Sequence, residues 1–369
     1  MDKILIITYR FLPDVDGGII VAYDYANLLV NLGYDVTVIS KDYSHPVQDL
    51  NFKYIQVPNK YGKYAWIYNF RAFLKSFEFA PYKHIILNQC PITFMSGRFF
   101  DQKTLGKSIS LIQGLEVEYI YENKGKMSGV FHSLFRMKHY HRKALIECRK
   151  IVSVSNFHMQ KVIKASNLFS YANKFQVVHT GIDKDIFHFV KSDFKKEYGL
   201  EGKEILITVS RIEKMKGFLE MLSVFKSLIS QNDQFKWVII GDGPFLEEFK
   251  SIVKLQNIAD HILFLGLKMR TELKYYYSAA DCFWLLSNYD ECLPLVYLEA
   301  QSCGIPAIGR NKGGVVETIA NGRTGFLINN ETECLDLILN MKYKSIDKED
   351  LCAFAKQFDK VKAAEDLIS

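Results

Sequence analysis

A twice-repeated alternation of short apolar runs with longer amphipathic ones narrows the fold of this chain more than any other feature. In the first half the runs are ILIIT (4–8), DVTVIS (35–40), FKYIQV (52–57), HIILNQ (84–89), SISLIQ (108–113), KIVSVS (150–155) and FQVVHT (175–180). Several are near-continuous Val/Ile/Leu stretches, the pattern of strands whose parallel sheet is covered by helices on both faces. Between the first two runs Val21, Tyr25, Leu28, Leu29 and Leu32 recur at helical spacing, and Gly33 stands where a C-cap belongs. This is a βαβ unit. The alternation restarts with EILITVS (204–210), KWVIIGDG (236–243), HILFLG (261–266), CFWLLS (282–287), IPAIG (305–309) and GFLI (325–328), with Phe218, Leu222, Phe225 and Ile229 on one face of the first intervening helix. Between the two halves, residues 181–203 are charged, lack clean periodicity and lie between Gly181 and Gly202, which predicts a linker. The expectation is an α/β chain of two Rossmann-like domains with parallel sheets facing a cleft, with ligands at the carboxyl ends of the strands.

Length fits that division, since 369 residues exceed one ordinary core and suit two domains. The N-terminal apolar run is too short for a signal peptide and follows Asp2, and no run approaches the length of a membrane span, so a cytoplasmic protein is expected. Seven scattered cysteines without a C-x-x-C argue against a disulfide framework and a structural zinc site. Residues 1–180 carry 23 Lys and Arg against 13 Asp and Glu, whereas residues 181–369 carry 24 against 28. A basic first half suits an anionic partner, such as the inner membrane surface bound peripherally or a phosphorylated acceptor. Nucleic acid is not expected, because no nucleic-acid-binding motif accompanies the charge. Residues 123–150 hold eight Lys and Arg and three His among apolar residues, consistent with a helix on an anionic membrane or an ordinary domain helix with a basic outer face.

The chemistry-bearing residues follow strands. Arg211 comes directly after the strand EILITVS, and Lys216 precedes the next helix, so a diphosphate there would meet two cations and free backbone N–H groups. Spacing alone equally allows two surface charges. The tight turn GDGP (241–244) makes Gly241 a second candidate contact. In DCFWLLSNYDECLPLVYLEAQSCGIP (281–306) a buried strand ends near Ser287, an acidic loop follows, and Pro294 opens a helix that Gly304 and Pro306 stop. The N–H groups of Leu295 and Val296 would face an anion. Glu291 and Glu299, eight positions apart, suit neutral hydroxyls such as a sugar's; alternatively Glu291 caps the helix and Glu299 is solvated.

Together VSRIEKMKGFLEMLSVF, GDGP, FLG and YYSAADCFWLLSNYDECLPLVYLEAQSCGIPAIGRNKGGVVETIANGRTGFLI resemble the retaining glycosyltransferases of family 4, also called group 1, including their E-x7-E element as Glu291 to Glu299. PDVDGGIIVAYDYANLLVNLGYDVTVIS resembles the family's glycine loop and first helix, and SVSNF (153–157) and VVHTGID (177–183) resemble elements before its linker. The resemblance covers nearly the whole chain. It implies a GT-B fold, with an acceptor-side domain at 1–185, a nucleotide-sugar donor domain at 186–345, and a crossover helix at 346–369 returning to the first domain. It implies that Arg211 and Lys216 bind the donor diphosphate, Glu291 the transferred sugar's hydroxyls and Glu299 the ribose. Gly17 and Gly18 would let the backbone approach the donor phosphates, and Leu267 and Lys268 would lie near the base.

The implied activity is metal-independent, retaining transfer of a hexose-type sugar, from a UDP-sugar foremost, to a glycan or lipid-linked acceptor in bacterial surface polysaccharide synthesis. No cofactor and no obligatory metal are expected. Two departures from the family pattern stand on the acceptor side: Gln113 and Glu116 where a histidine is often found, and Thr180-Gly181 in place of Asn-Gly. The pairs Asp14/Asp16 and Asp183/Asp185 match D-x-D but read as turn and capping carboxylates. The rival readings are a nucleotide-sugar epimerase of the same fold and a non-catalytic sugar-binding protein; a dinucleotide oxidoreductase lacks its G-x-G-x-x-G.

Overall fold

A computed structural model describes residues 1–13, 17–41, 49–58, 66–122 and 129–369. Asp14 and Asp16, and residues 123–128 of the basic segment, lie outside the described residues. The chain forms two compact units, one of Met1–Thr180 with Val361–Ser369 and one of Gly181–Lys360.

Seven strands build the first unit: β1 (Lys3–Thr8), β2 (Asp35–Lys41), β3 (Lys53–Val57), β4 (Tyr82–Asn88), β5 (Ser108–Ile112), β6 (Lys150–Ser153) and β7 (Phe175–Val177). Each falls on an apolar run of the sequence. Their order is β3-β2-β1-β4-β5-β6-β7, all pairs parallel, and the topology switches direction between β1 and β4. Successive residues of β1 point to opposite layers. Ile4 and Ile6 join Tyr25 and Leu29 of the helix Gly17–Asn31, while Leu5 and Ile7 join Phe70 and Phe94 on the other side. Covering both faces explains why the run is apolar throughout, and each such side chain contributes about 1.5–3 kcal/mol by leaving water. Gly33, at φ +90°, ends the first helix as expected, with the Tyr34 N–H bonded to the Leu29 carbonyl.

Among its described residues the basic segment forms two helices, Gly129–Leu134 and Met137–Glu147. Met137–Glu147 buries Met137, His141, Ala144 and Leu145, and leaves Lys138, His139 and Arg142 exposed. Burial depresses the His141 pKa to about 4.

The second unit has β8 (Glu204–Val209), β9 (Phe235–Ile240), β10 (Ile262–Gly266), β11 (Cys282–Leu285), β12 (Ala307–Arg310) and β13 (Gly325–Ile328) in the order β10-β9-β8-β11-β12-β13. All pairs are parallel, with the switch between β8 and β11. At its centre Trp237 and Trp284 meet edge to face at 5.0 Å, and Thr208 Oγ1 accepts from Trp237 Nε1 at 3.0 Å and donates to the Trp284 carbonyl at 2.8 Å. A buried hydroxyl satisfied on both sides costs little.

Two stretches differ from expectation. Residues 181–203 are not a free tether, because Phe187, Phe194 and Leu200 are buried in the second unit's core. The C-terminal stretch forms two helices, Lys348–Ala355 and Lys360–Ile368. Leu351 and Phe358 are buried in the second unit, and only Val361–Ser369 joins the first, where Ala363, Ala364 and Leu367 enter the core beside Ile4 and Ile6.

The helix Cys90–Phe99 approaches Met137–Glu147 so closely at Gly97 that a Cβ there would overlap the Tyr140 carbonyl oxygen. Gly97→Ala should therefore force the helices apart and cost about 1–3 kcal/mol, as overpacking usually does. Urea denaturation followed by circular dichroism checks this; an unchanged midpoint would contradict the packing.

Candidate active site

In the second unit the polar groups gather where β8 and β11 end, at the switch point. Beyond β8 the chain runs through Ser210, Arg211 and Ile212, braced by the loop after β9. The Ile212 N–H donates to the Asp242 carbonyl at 2.9 Å, and Gly241, at φ +141°, lies so near Ser210 that a Cβ would overlap its carbonyl oxygen. Only glycine fits such an approach. Arg211 projects into solvent, its side chain 70% exposed, with Nε 3.1 Å from Glu213 Oε1. Five residues on, Lys216 turns inward. Its Nζ is 2.7 Å from Glu291 Oε1, an oxygen that also accepts from Ser287 Oγ at 2.7 Å. The Tyr289 ring lies 5.6 Å from Nζ, and the Tyr289 hydroxyl donates to Glu213 Oε2 at 3.1 Å. Burial, then the Glu213 charge, raises the pKa of that hydroxyl.

The Glu291 loop is clamped by backbone contacts. The Gly314 N–H donates to the Glu291 carbonyl at 2.6 Å, and a Cβ on Gly314 would overlap the Cys292 carbonyl oxygen. Lys312 Nζ donates to the Asn288 carbonyl at 2.9 Å and lies 3.1 Å from Asp290 Oδ1. Across the gap, the Asn288 N–H donates to the Met215 carbonyl at 2.8 Å, tying the two strand ends together.

Pro294 is the N-cap of the helix Leu295–Ser302, and no side chain caps it. The first-turn N–H groups, those of Leu295 and Val296 among them, thus have no partner within the helix. Glu299 sits one turn in, buried, 3.4 Å from the Tyr277 hydroxyl and 3.9 Å from Arg270. The cap-and-solvent reading of the sequence does not hold: Glu291 does not cap the helix, and Glu299 is buried. Leu267 is exposed after β10, and Lys268 lies over the Tyr276 ring at 5.7 Å. Since β9 separates β10 from β8, Leu267 and Lys268 follow a strand that lies two strands from β8, about 10 Å at ordinary spacing.

The first unit has its own polar cluster at the β1/β4 switch. Asn88 Nδ2 donates to Thr8 Oγ1 at 3.0 Å and to the Gly18 carbonyl at 3.1 Å, while its Oδ1 accepts from Gln113 Nε2. Gly17 opens the first helix, and space beside its Cα is open. Glu116 is buried and accepts from the N–H of Gln113 at 3.3 Å, the N–H of Gly114 at 2.9 Å and His158 Nε2 at 2.8 Å. Burial pushes its carboxyl up, but the His158 bond and charge, with the backbone donors, outweigh that and bring it to about 2.

Asp183 accepts from the N–H groups of Asp185 and Ile186 and pairs with Lys360, a turn carboxylate as expected. Among the described residues no group of three His, Cys, Asp or Glu is placed to hold a metal ion, and no helix is long and apolar enough to cross a membrane.

Sequence reasoning missed Ser287, Tyr289, Lys312, Asn88 and His158. Only the Gly313-Gly314 pair carried a visible signal, as adjacent glycines after a strand mark a close backbone approach.

Residues 190–357 match the family model of the group 1 glycosyl transferases, nearly all of the second unit. The second unit belongs to the group 1 glycosyltransferases. The N-acetyl-alpha-D-glucosaminyl L-malate synthase of Bacillus anthracis is 36% identical over 41% of this chain and 39% of its own length. A GDP-mannose-dependent phosphatidylinositol monomannoside mannosyltransferase of Mycobacterium tuberculosis is 28% identical over 44% of this chain and 45% of its own. The matches thus span under half of the length of these two relatives. The two parallel-sheet α/β units match solved glycosyltransferases of the GT-B fold. HepE of Anabaena, solved in complex with UDP, gives a TM-score of 0.77 at 16% identity over 99% of this chain and 98% of HepE. WaaG, a glycosyltransferase involved in lipopolysaccharide biosynthesis, gives 0.70 at 16% identity over 98% of both chains.

Lys216 and Glu291 are both mostly buried and share one hydrogen-bond network, so they should couple. A double-mutant cycle with Lys216→Ala and Glu291→Ala, read by urea denaturation, should give an interaction energy of about 0.5–3 kcal/mol. Strictly additive losses would show that the pair does not hold the two strand ends.

Proposed function

We propose that the chain is a retaining glycosyltransferase that moves a hexose-type sugar from a nucleotide diphosphate donor, a UDP-sugar foremost, to a glycan or lipid-linked acceptor in bacterial surface polysaccharide synthesis. The observation that carries it is the meeting of Lys216, Glu291 and Ser287 at the β8/β11 switch point, next in sequence to an uncapped helix start. Cations and free N–H groups suit a diphosphate; carboxylates with hydroxyl neighbours suit a sugar. The UDP complexes of HepE favour UDP as the nucleotide.

In this reading Arg211, Lys216 and the N–H groups of Leu295 and Val296 hold the diphosphate, with the Gly241 loop and Pro294 shaping the backbone around it. Glu291 holds the sugar's hydroxyls, Glu299 the ribose, and Leu267 and Lys268 lie toward the base. Gly17 and Gly18 admit the donor phosphates, and Gln113 and Glu116 belong to the acceptor side. The bond from the sugar's anomeric carbon to the diphosphate breaks, its electron pair staying on the phosphate oxygen. The acceptor oxygen bonds that carbon on the same face, and its proton passes to a phosphate oxygen of the leaving group. Negative charge grows on the diphosphate, so fixed cations stabilise the transition state more than the bound donor. They serve in place of a metal ion.

Arg211→Ala and Lys216→Ala should each cost about 1.5–3 kcal/mol in donor affinity, and more in turnover. EDTA should leave the wild-type rate intact. Donor binding by calorimetry and transfer by release of free UDP check both. A double variant that turns over normally, or a rate that EDTA abolishes and added metal restores, would sink the mechanism.

The excess of Lys and Arg in residues 1–180, with Lys138, His139 and Arg142 exposed on one helix, supports peripheral attachment to the cytoplasmic face of an anionic membrane. Co-sedimentation should be strong with phosphatidylglycerol vesicles, weak with phosphatidylcholine, and should fall as salt rises. Equal binding to both would contradict it.

A further inference from the structure

The buried His158–Glu116 pair has no task in the transfer step, yet it lies under the chain that leaves β5. His158 enters from the start of the helix Asn156–Ser166, where Ser155 Oγ accepts its N–H at 3.1 Å. The ring and the carboxylate are almost fully buried, 0% and 2% exposed, and the two Glu116 oxygens divide their acceptor sites between His158 and the N–H groups of Gln113 and Gly114. A carboxylate so placed fixes the turn at 113–116, because letting it move would strand a buried charge. Gln113 is tied in turn to Asn88, and Asn88 to Thr8 and Gly18. The carboxyl ends of β1, β4 and β5 and the helix after β6 are thereby joined in one network.

Two apolar side chains face outward from this turn, flanked by the Glu118–Lys161 ion pair and exposed Glu122. Leu115 is 49% exposed and Tyr119 42% exposed, and the Tyr119 N–H donates to the Leu115 carbonyl at 2.9 Å, so the two share one side of the turn. Val117 and Ile120 face inward and anchor the other side. The backbone over Val117–Tyr121 is π-helical, a rare geometry that recurs at functional sites. A large aliphatic and an aromatic side chain, held rigidly at the end of the sheet where ligands bind, form a ready surface for an apolar body.

We infer that His158 is a positioning residue that, through Glu116, fixes the 113–119 turn as an acceptor platform, and that Leu115 and Tyr119 there receive an acceptor carrying an apolar chain. This rests on the transferase reading, and it selects an amphiphilic acceptor over a free sugar.

Amide hydrogen exchange on the full chain tests it with three probes: octyl glucoside below its critical micelle concentration, glucose, and UDP-glucose. Octyl glucoside should slow exchange over residues 114–120 at least about fivefold, and glucose should not. His158→Leu should speed exchange at Gln113 and Gly114 and abolish that protection while protection of residues 211–217 by UDP-glucose persists. His158→Gln, whose side-chain amide can still donate to Glu116, should restore it. Leu115→Ser and Tyr119→Ser, both surface changes, should lose octyl glucoside protection with the turn intact, which keeps the test open if His158→Leu does not fold. Protection that survives in these surface variants, or that falls equally on exposed Leu134 and Phe169, would mark general adsorption and overturn the platform. Failure of UDP-glucose to protect residues 211–217 in the wild type would instead overturn the transferase reading.

Discussion

A parallel strand covered on both faces places polar chemistry at its ends, and the two polar clusters at the sheet reversals follow from that constraint. In the first sheet Ile4 and Ile6 face one layer while Leu5 and Ile7 face the other; in the second, Leu206 and Ile207 are buried outright. The sheet's interior has no room for a charge. Where the direction of winding reverses, between β1 and β4 and between β8 and β11, the strand ends part and polar side chains can converge. Thr8, Asn88 and Gln113 gather at the first reversal, and Lys216, Ser287 and Glu291 at the second.

Glycine makes the second gathering possible. Four loops meet there through three backbone contacts, Gly217 against Leu286, Gly241 against Ser210, and Gly314 against Cys292, each too close for a Cβ. Such contacts hold the loops rigidly, and catalysis by fixed charges needs that rigidity, since groups already in place need not reorganise as charge develops. Lys216 is held by an ion pair and an aromatic ring, and Arg211, among the described residues, by a solvent-exposed ion pair. The lysine is thus the fixed cation, and the arginine is free to follow a ligand.

The sheets were legible in the sequence because burial on both faces leaves an unbroken apolar run, and Arg211, Lys216 and Glu291 stood out as candidates because they lie in the loops after such runs. Residues 181–203 misled because Phe187, Phe194 and Leu200 pack without a regular period. The break between Lys348–Ala355 and Lys360–Ile368 has neither Pro nor Gly to mark it. His158 escaped notice for a different reason. Its partner is 42 residues away, so only the folded sheet brings imidazole and carboxylate together. Ser287 and Gly314 likewise acquire meaning through neighbours that spacing cannot reveal.

The proposed site holds a nucleotide diphosphate where β8 and β11 end. A crystal structure of the full chain soaked with UDP in the presence of EDTA tests it most directly. Density for the diphosphate should lie within hydrogen-bonding distance of Lys216 Nζ, the Arg211 guanidinium and the N–H groups of Leu295 and Val296, with no metal ion beside it. A nucleotide bound at another strand end, or a diphosphate that contacts none of these groups, would contradict it.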